Sequence, residues 1–297
     1  MFRLMLNSHA NIHIPPEAWF LGELVARLPR NRRLSQQEIR EAQEIILQNE
    51  RWSDWKCPLE KLEAALVFQK APTLAELIQE VFFNCSLCGS KLIWGEKSPR
   101  HSHLITQIHE IYPQAKFIHL IRDGVDSCMS IFDRGWYDRN FRRICEHWNS
   151  TVRSARQAKR FGADCYLELH YEDLVRDPES KLKTVCEFLG LPFFKSMLQY
   201  QSRIAGDIAA GESNLHSSLN DGLKSNLIGI GHGKITGKQK IVFNIICGKT
   251  NSEMGYSYFN LNFYEKLTEP FILIFLWIEK KTHNLIFRLK TSRLIKK

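Results

Sequence analysis

With 297 residues, 44% of them apolar and 25% charged, the chain is large enough to bury a core without disulfides and has the make-up of a soluble globular protein. Lys and Arg outnumber Asp and Glu by 41 to 32, but seven of the basic residues lie in 279–297 against the single acid Glu279, so the body is only mildly basic. That balance, with no module interleaving basic and aromatic residues, excludes nucleic-acid binding. The eight cysteines are scattered and read as reduced thiols of a cytoplasmic protein; Cys85-x-x-Cys88 has no second pair at zinc spacing. The apolar run 271–278 falls far short of the ~20 residues of a membrane-spanning helix. The start, Met1-Phe2-Arg3-Leu4-Met5-Leu6, lacks the apolar segment and cleavage site of a signal peptide.

From Phe20 to about Asn84 apolar residues return every three or four positions, predicting helices. Ser35-x-x-Glu38 and Thr73-x-x-Glu76 are capping boxes that start two of them. This region, about 20–90, reads as a helical insertion. From Leu92 short apolar runs alternate with helical segments: 91–94, 116–121 and 165–169 read as strands, and helices are predicted over 104–111, from about Val125, over 140–159 and over 179–189. This alternation predicts an α/β fold, a parallel sheet flanked by helices on both faces. Between Gly206 and Gly255 the chain is rich in Gly, Ser and Asn and reads as loop. Residues 1–263 are assigned to the α/β domain and 264–297 to a basic amphipathic helical tail.

Ligands of parallel sheets sit beyond the carboxyl ends of the strands, which directs attention to Lys97, Arg122 and Tyr171-Glu172-Asp173. Each alone also fits a solvated strand end. Arg122, with Ser127 and Ser130, occupies a strand-to-helix turn, where backbone N–H groups and a guanidinium suit a phosphate. Pairing of Arg122 with Asp123 or Asp126 explains the same spacing equally well. Glu17 follows Ile14-Pro15-Pro16 and precedes Ala18-Trp19-Phe20. Partial burial there would raise its pKa and fit it to take a proton from an alcohol; the alternative is a first-turn glutamate serving a helix dipole.

Five segments in order carry a resemblance: Leu6-Asn7-Ser8-His9 with Pro15-Pro16-Glu17; Gly95-Glu96-Lys97-Ser98-Pro99; Phe117-Ile118-His119-Leu120-Ile121-Arg122-Asp123-Gly124 with Ser130; His170-Tyr171-Glu172-Asp173-Leu174 with Asp177-Pro178; and Phe188-Leu189-Gly190-Leu191-Pro192. From about Asn7 to Gly190 the chain resembles the sulfotransferases that use 3′-phosphoadenosine 5′-phosphosulfate (PAPS), in particular the bacterial and tyrosylprotein-type branch. The resemblance implies sulfuryl transfer to a hydroxyl or amine acceptor. Glu17 would be the general base and Lys97 would steady the departing phosphate oxygen. Arg122 and Ser130 would hold the 3′-phosphate of the co-substrate, and Tyr171 would contact the nucleotide. The scheme requires no metal.

The resemblance begins within a helix of the family. The strand and the Pro-Arg-Ser-Gly-Thr-Thr loop that come before it there are absent, which implies an N-terminally truncated chain that transfers sulfate poorly or not at all, with an exposed apolar seam and a tendency to aggregate. Gly229-Ile230-Gly231-His232-Gly233-Lys234-Ile235 does not replace the loop, because Ile228 and Ile235 stand where a Walker pattern has Gly and Ser or Thr. Gly231 or His232 stands near the family's cofactor-contacting Trp, with Lys224 and Lys234 as basic substitutes. The competing reading is a non-catalytic remnant, or a peripheral membrane or partner-binding protein, using the basic tail to lie on an anionic bilayer; the commoner fate of such a tail is to pack on the body.

Overall fold

The structure is a computed structural model that describes residues 1–86, 92–203, 225–272 and 274. The chain forms two compact units. One comprises Met1–Ile121 and Thr151–Leu227, the other Arg122–Ser150 and Ile228–Lys297.

The first unit contains every strand found among the described residues. Helix α1 (Phe2–Asn7) leads to β1 (Ile12–His13), which pairs in parallel with β2 (Ile93–Trp94). Strands β3 (Phe117–Ile121) and β4 (Tyr166–His170) form the second parallel pair, Phe117 opposite Tyr166 and Ile121 opposite His170. The α/β class with parallel pairing is as expected, carried by two short pairs. Strand β1 was not foreseen, since two residues give no periodicity to detect. Between β1 and β2 lie α2 (Trp19–Arg27), α3 (Gln36–Gln48), α4 (Leu59–Ala65) and α5 (Leu74–Cys85). Both capping boxes form: Ser35 and Thr73 accept the N–H groups of Glu38 and Glu76, whose carboxylates accept in return. These helices close on an aromatic-rich core in which Phe20 and Phe82 flank Trp55. A second core joins Leu4 and Met5 of α1 to Ile12, Leu169, and Leu182 and Val185 of the helix Pro178–Leu189.

The second unit holds the helix Gly124–Asp133, the first part of the helix Phe141–Ala155, and two later helices, Ile230–Lys234 and Gly237–Glu253. The last two correct the expectation of a loop over 206–255 for its described part; 206–224 lies outside the described residues. Thr236 and Gln239 form a third capping box at the start of Gly237–Glu253. The apolar residues of that helix are bunched within 241–247, and Thr250 and Asn251 beyond them are buried as well. Polar residues thus turn inward, which hides the helical period in the sequence. Gly124 is required by close approach: a Cβ there would fall 2.7 Å from Asn251 Oδ1 and 2.9 Å from the rings of Phe243 and Trp148. Of the predicted tail, 263–272 is helical and leaves Tyr264, Leu267 and Phe271 exposed; residues 275–297 lie outside the described residues. Among the described residues no helix is long and apolar enough to cross a membrane.

Candidate active site

Glu17 and Lys97 meet in the first unit. The side chain of Asn7 locks the backbone of Ile14 by donating to its carbonyl (2.9 Å) and accepting its N–H (2.7 Å), and Arg3 donates to the same carbonyl at 3.0 Å. That fixes the rigid Pro15-Pro16 step that delivers Glu17. Lys97 Nζ donates to Glu17 Oε1, and Trp19 Nε1 donates to Oε2 at 2.7 Å. Glu17 is 19% exposed and Lys97 48%. The guanidinium of Arg100 lies 3.8 Å from the centre of the Trp19 ring, a cation–π contact that holds the indole in place.

The expected upward shift of Glu17 does not occur. Burial does push its carboxyl up, but the charge and hydrogen bond of Lys97, the Trp19 N–H and the charge of Arg51 together outweigh it and hold Glu17 below the ordinary carboxylate range. Desolvation was legible from the apolar neighbours; the lysine eighty positions away was not.

Sequence reasoning also missed Glu96. Its carboxylate is only 12% exposed, accepts from the Ser98 hydroxyl and the Ala18 N–H, and lies 2.7 Å from His101 Nδ1. It thereby ties the loop carrying Lys97 to the turn carrying Glu17. The signal is present in Gly95-Glu96-Lys97-Ser98-Pro99, where a carboxylate stands directly beside the lysine. His9 is fully buried and structural, bonded to the Pro192 carbonyl (2.8 Å) and the Asn11 N–H (3.0 Å). Tyr171 opens the helix Tyr171–Arg176 directly beyond β4, near the buried Tyr200, whose hydroxyl it helps push up after burial.

Arg122 and Ser130 belong to the second unit. Arg122 approaches the fully buried Asp126 carboxylate at 3.4 Å, so the pairing alternative is realised at the outer limit of a hydrogen bond. Ser130 lies two turns along Gly124–Asp133, and Arg134 is depressed by burial and then by the charge of Arg122, which places a second guanidinium in the neighbourhood of the first. Asp123 caps the helix by accepting the Asp126 N–H (2.9 Å), and it also binds His232 Nε2 at 3.0 Å. That bond is the main cause raising the His232 pKa. The glycine segment is not a phosphate loop: the N–H groups of Gly229 and Gly231 both donate to Asp126 at 2.7 Å. Lys234 pairs with Asp133 at 2.6 Å, and Lys224 lies outside the described residues.

The pattern of the Sulfotransferase family matches residues 1–195. The chain belongs to the sulfotransferase family. Among relatives of this sulfotransferase-family chain, protein-tyrosine sulfotransferase A of Caenorhabditis elegans is 29% identical over 134 residues, covering 43% of this chain and 35% of the relative. Protein-tyrosine sulfotransferase 1 of Danio rerio is 31% identical over 113 residues, covering 36% and 32%. An omega-hydroxy-beta-dihydromenaquinone-9 sulfotransferase of Mycobacterium tuberculosis is 28% identical over 155 residues, covering 48% and 39%. The matches span about a third of the length of these curated relatives. In fold the chain is similar to the sulfotransferase domain of the Synechococcus PCC 7002 olefin synthase, with a TM-score of 0.55 and 23% identity over 79% of this chain and 82% of that one. The sulfotransferase domain of the curacin biosynthetic pathway gives 0.56 and 18% identity, covering 86% and 93%.

Proposed function

We propose that the chain transfers a sulfuryl group from PAPS to a hydroxyl acceptor, with Glu17 as general base and Lys97 as the cation on the leaving group. The observation that carries this is the Glu17–Lys97 ion pair, a carboxylate kept ionised at neutral pH and oriented by Trp19. Sulfuryl transfer, like phosphoryl transfer, needs in-line placement of the acceptor oxygen, sulfur and leaving oxygen, with positive charge where negative charge develops. The acceptor O–H proton passes to Glu17 as its oxygen bonds to sulfur. The bond from sulfur to the phosphate oxygen breaks, and Lys97 steadies the charge left on the nucleotide. The step as written requires no metal.

Lys97 has two partners to choose from in this scheme. In the structure it holds Glu17; a bound phosphosulfate competes for it. As Lys97 turns to the donor, Glu17 loses its strongest counter-charge, and burial then raises its proton affinity. Donor binding thus strengthens the base at the moment it is needed. Arg122 and Ser130 take the 3′-phosphate, a role supported by the second guanidinium that Arg134 brings near Arg122, and Tyr171 contacts the nucleotide. A hydroxyl acceptor is favoured over an amine because the relatives are named for a protein tyrosine and an omega-hydroxy menaquinone. The seven free cysteines among the described residues fit a cytoplasmic setting.

The test is transfer of labelled sulfate from PAPS to a phenolic acceptor, with calorimetric titration of 3′-phosphoadenosine 5′-phosphate alongside. Turnover lost in Glu17→Gln with nucleotide affinity retained supports the assignment; unchanged turnover in that variant removes it.

A further inference from the structure

Three cysteines distant in sequence meet in the second unit. Cys128 comes from the helix Gly124–Asp133, Cys145 from Phe141–Ala155 and Cys247 from Gly237–Glu253. All three are wholly buried, and their sulfur atoms lie within 4.8 Å of one another. The Cys247 thiol also donates to the backbone carbonyl of Cys145 at 3.3 Å, which turns its sulfur toward that helix. A lone buried cysteine packs as a small apolar residue. Three thiols aimed at one point from three separate helices form a different object, a set of soft donors with a common centre.

We infer that Cys128, Cys145 and Cys247 bind one thiophilic divalent ion of the Zn²⁺ class. At a Zn–S distance of about 2.3 Å, neighbouring sulfurs of a tetrahedral site stand roughly 3.8 Å apart, so each need move inward by only about half an ångström. Thiolates select soft ions over Mg²⁺ and Ca²⁺, which prefer oxygen. Binding replaces the thiol protons: M²⁺ and three RSH give M(SR)₃⁻ and three H⁺, with no change of oxidation state. Seventeen and 102 residues separate the ligands along the chain, so no zinc spacing is visible in the sequence. The ion would clamp three helices, among them the one that begins beside Arg122 and carries Ser130. The role is structural, since a ligand that binds only the folded state raises its stability.

The experiment uses the full chain, grown with added zinc and purified without chelator. The metal-to-protein ratio is measured by elemental mass spectrometry. Chelator-treated chain is then titrated with Cd²⁺ while the sulfur-to-metal charge-transfer absorption and the thermal midpoint are followed. The expected results are one equivalent of metal, a charge-transfer band that saturates at one equivalent and a raised midpoint. Cys247→Ser and Cys128→Ser should lose the band, and Cys165→Ser, a substitution in the other unit, should keep it. The wild-type titration alone is decisive if the variants do not fold. Absence of the band, a band that survives Cys247→Ser, or a disulfide among the three thiols in the intact mass overturns the proposal.

Discussion

Lys97 donates to the carboxylate of Glu17, eighty positions earlier in the chain, and no feature of either segment alone announces that they touch. In each segment the local pattern fits a structural role as well, a first-turn glutamate for Glu17 and a solvated strand end for Lys97, and only the resemblance to the family implies their chemistry. The contact alters the chemistry of both. It holds Glu17 below the ordinary carboxylate range although burial pulls the other way.

The first prediction is the pH dependence. Glu17 must be ionised to accept a proton, so activity exists above its pKa and is lost as pH falls through it. Because the free-state pKa is lowered, kcat/KM should stay level through the normal carboxylate range. In Lys97→Gln burial is no longer outweighed by that lysine, and the acid limb of the kcat/KM profile should move to higher pH while kcat falls. An acid limb at the same pH in both proteins would contradict the ion pair's role.

Glu17→Gln keeps size and loses basicity. A roughly hundredfold to ten-thousandfold fall in kcat is expected, the usual worth of a positioned base, with little change in nucleotide affinity by calorimetry.

Trp19→Phe retains a ring for Arg100 to stack on and removes the N–H that holds Glu17 Oε2. A net hydrogen bond of about 1 kcal/mol corresponds to a roughly fivefold loss. The loss should fall on kcat, because Trp19 positions the base without touching the donor.

Gly231→Ala places a Cβ 2.8 Å from the Asp126 backbone and 2.9 Å from the Val125 carbonyl. Neither is the flexible end of a side chain, so the segment must shift away from Asp126. Destabilisation of about 1–3 kcal/mol is expected by denaturant unfolding. Weaker nucleotide binding should accompany it, since Asp126 would lose a donor and draw more strongly on Arg122.

His119 supplies a stability prediction. It is 12% exposed, bonded to the Tyr166 hydroxyl at 2.8 Å, and burial, opposed by Glu168 and aided by Arg156 and Lys159, brings its pKa from 6.5 to about 4. Between those values the unfolded chain binds the extra proton, so stability falls as pH drops from 6.5 to 4, by on the order of 3 kcal/mol. His119→Gln should flatten that part of the stability profile measured by urea unfolding.

Much of the fold was legible because its signals are local. Ser35 with Glu38 and Thr73 with Glu76 mark helix starts through contacts made within one turn, and both formed as read. The runs that became β3 and β4 were visible as short apolar stretches between helical ones. Gly237–Glu253 was missed because its pattern answers to neighbours: Asn251 is buried to accept the Gly124 N–H at 2.9 Å, so it reads as a loop residue although it sits in a helix. Glu96 has two partners close in sequence, Ser98 and His101, but its link to the Ala18 N–H exists only once the turn carrying Glu17 is brought alongside.

Residue order alone predicted the parallel α/β class, through the periods of helix and strand, and carried the resemblance to the family in five ordered segments, and it is that resemblance that implies which carboxylate, lysine and arginine to suspect. Tertiary structure decided the ionisation of Glu17, the partners of Asp126 and the meeting of Cys128, Cys145 and Cys247. Charge and coordination act through space over a few ångströms, and that proximity is created only when segments tens of residues apart are packed together.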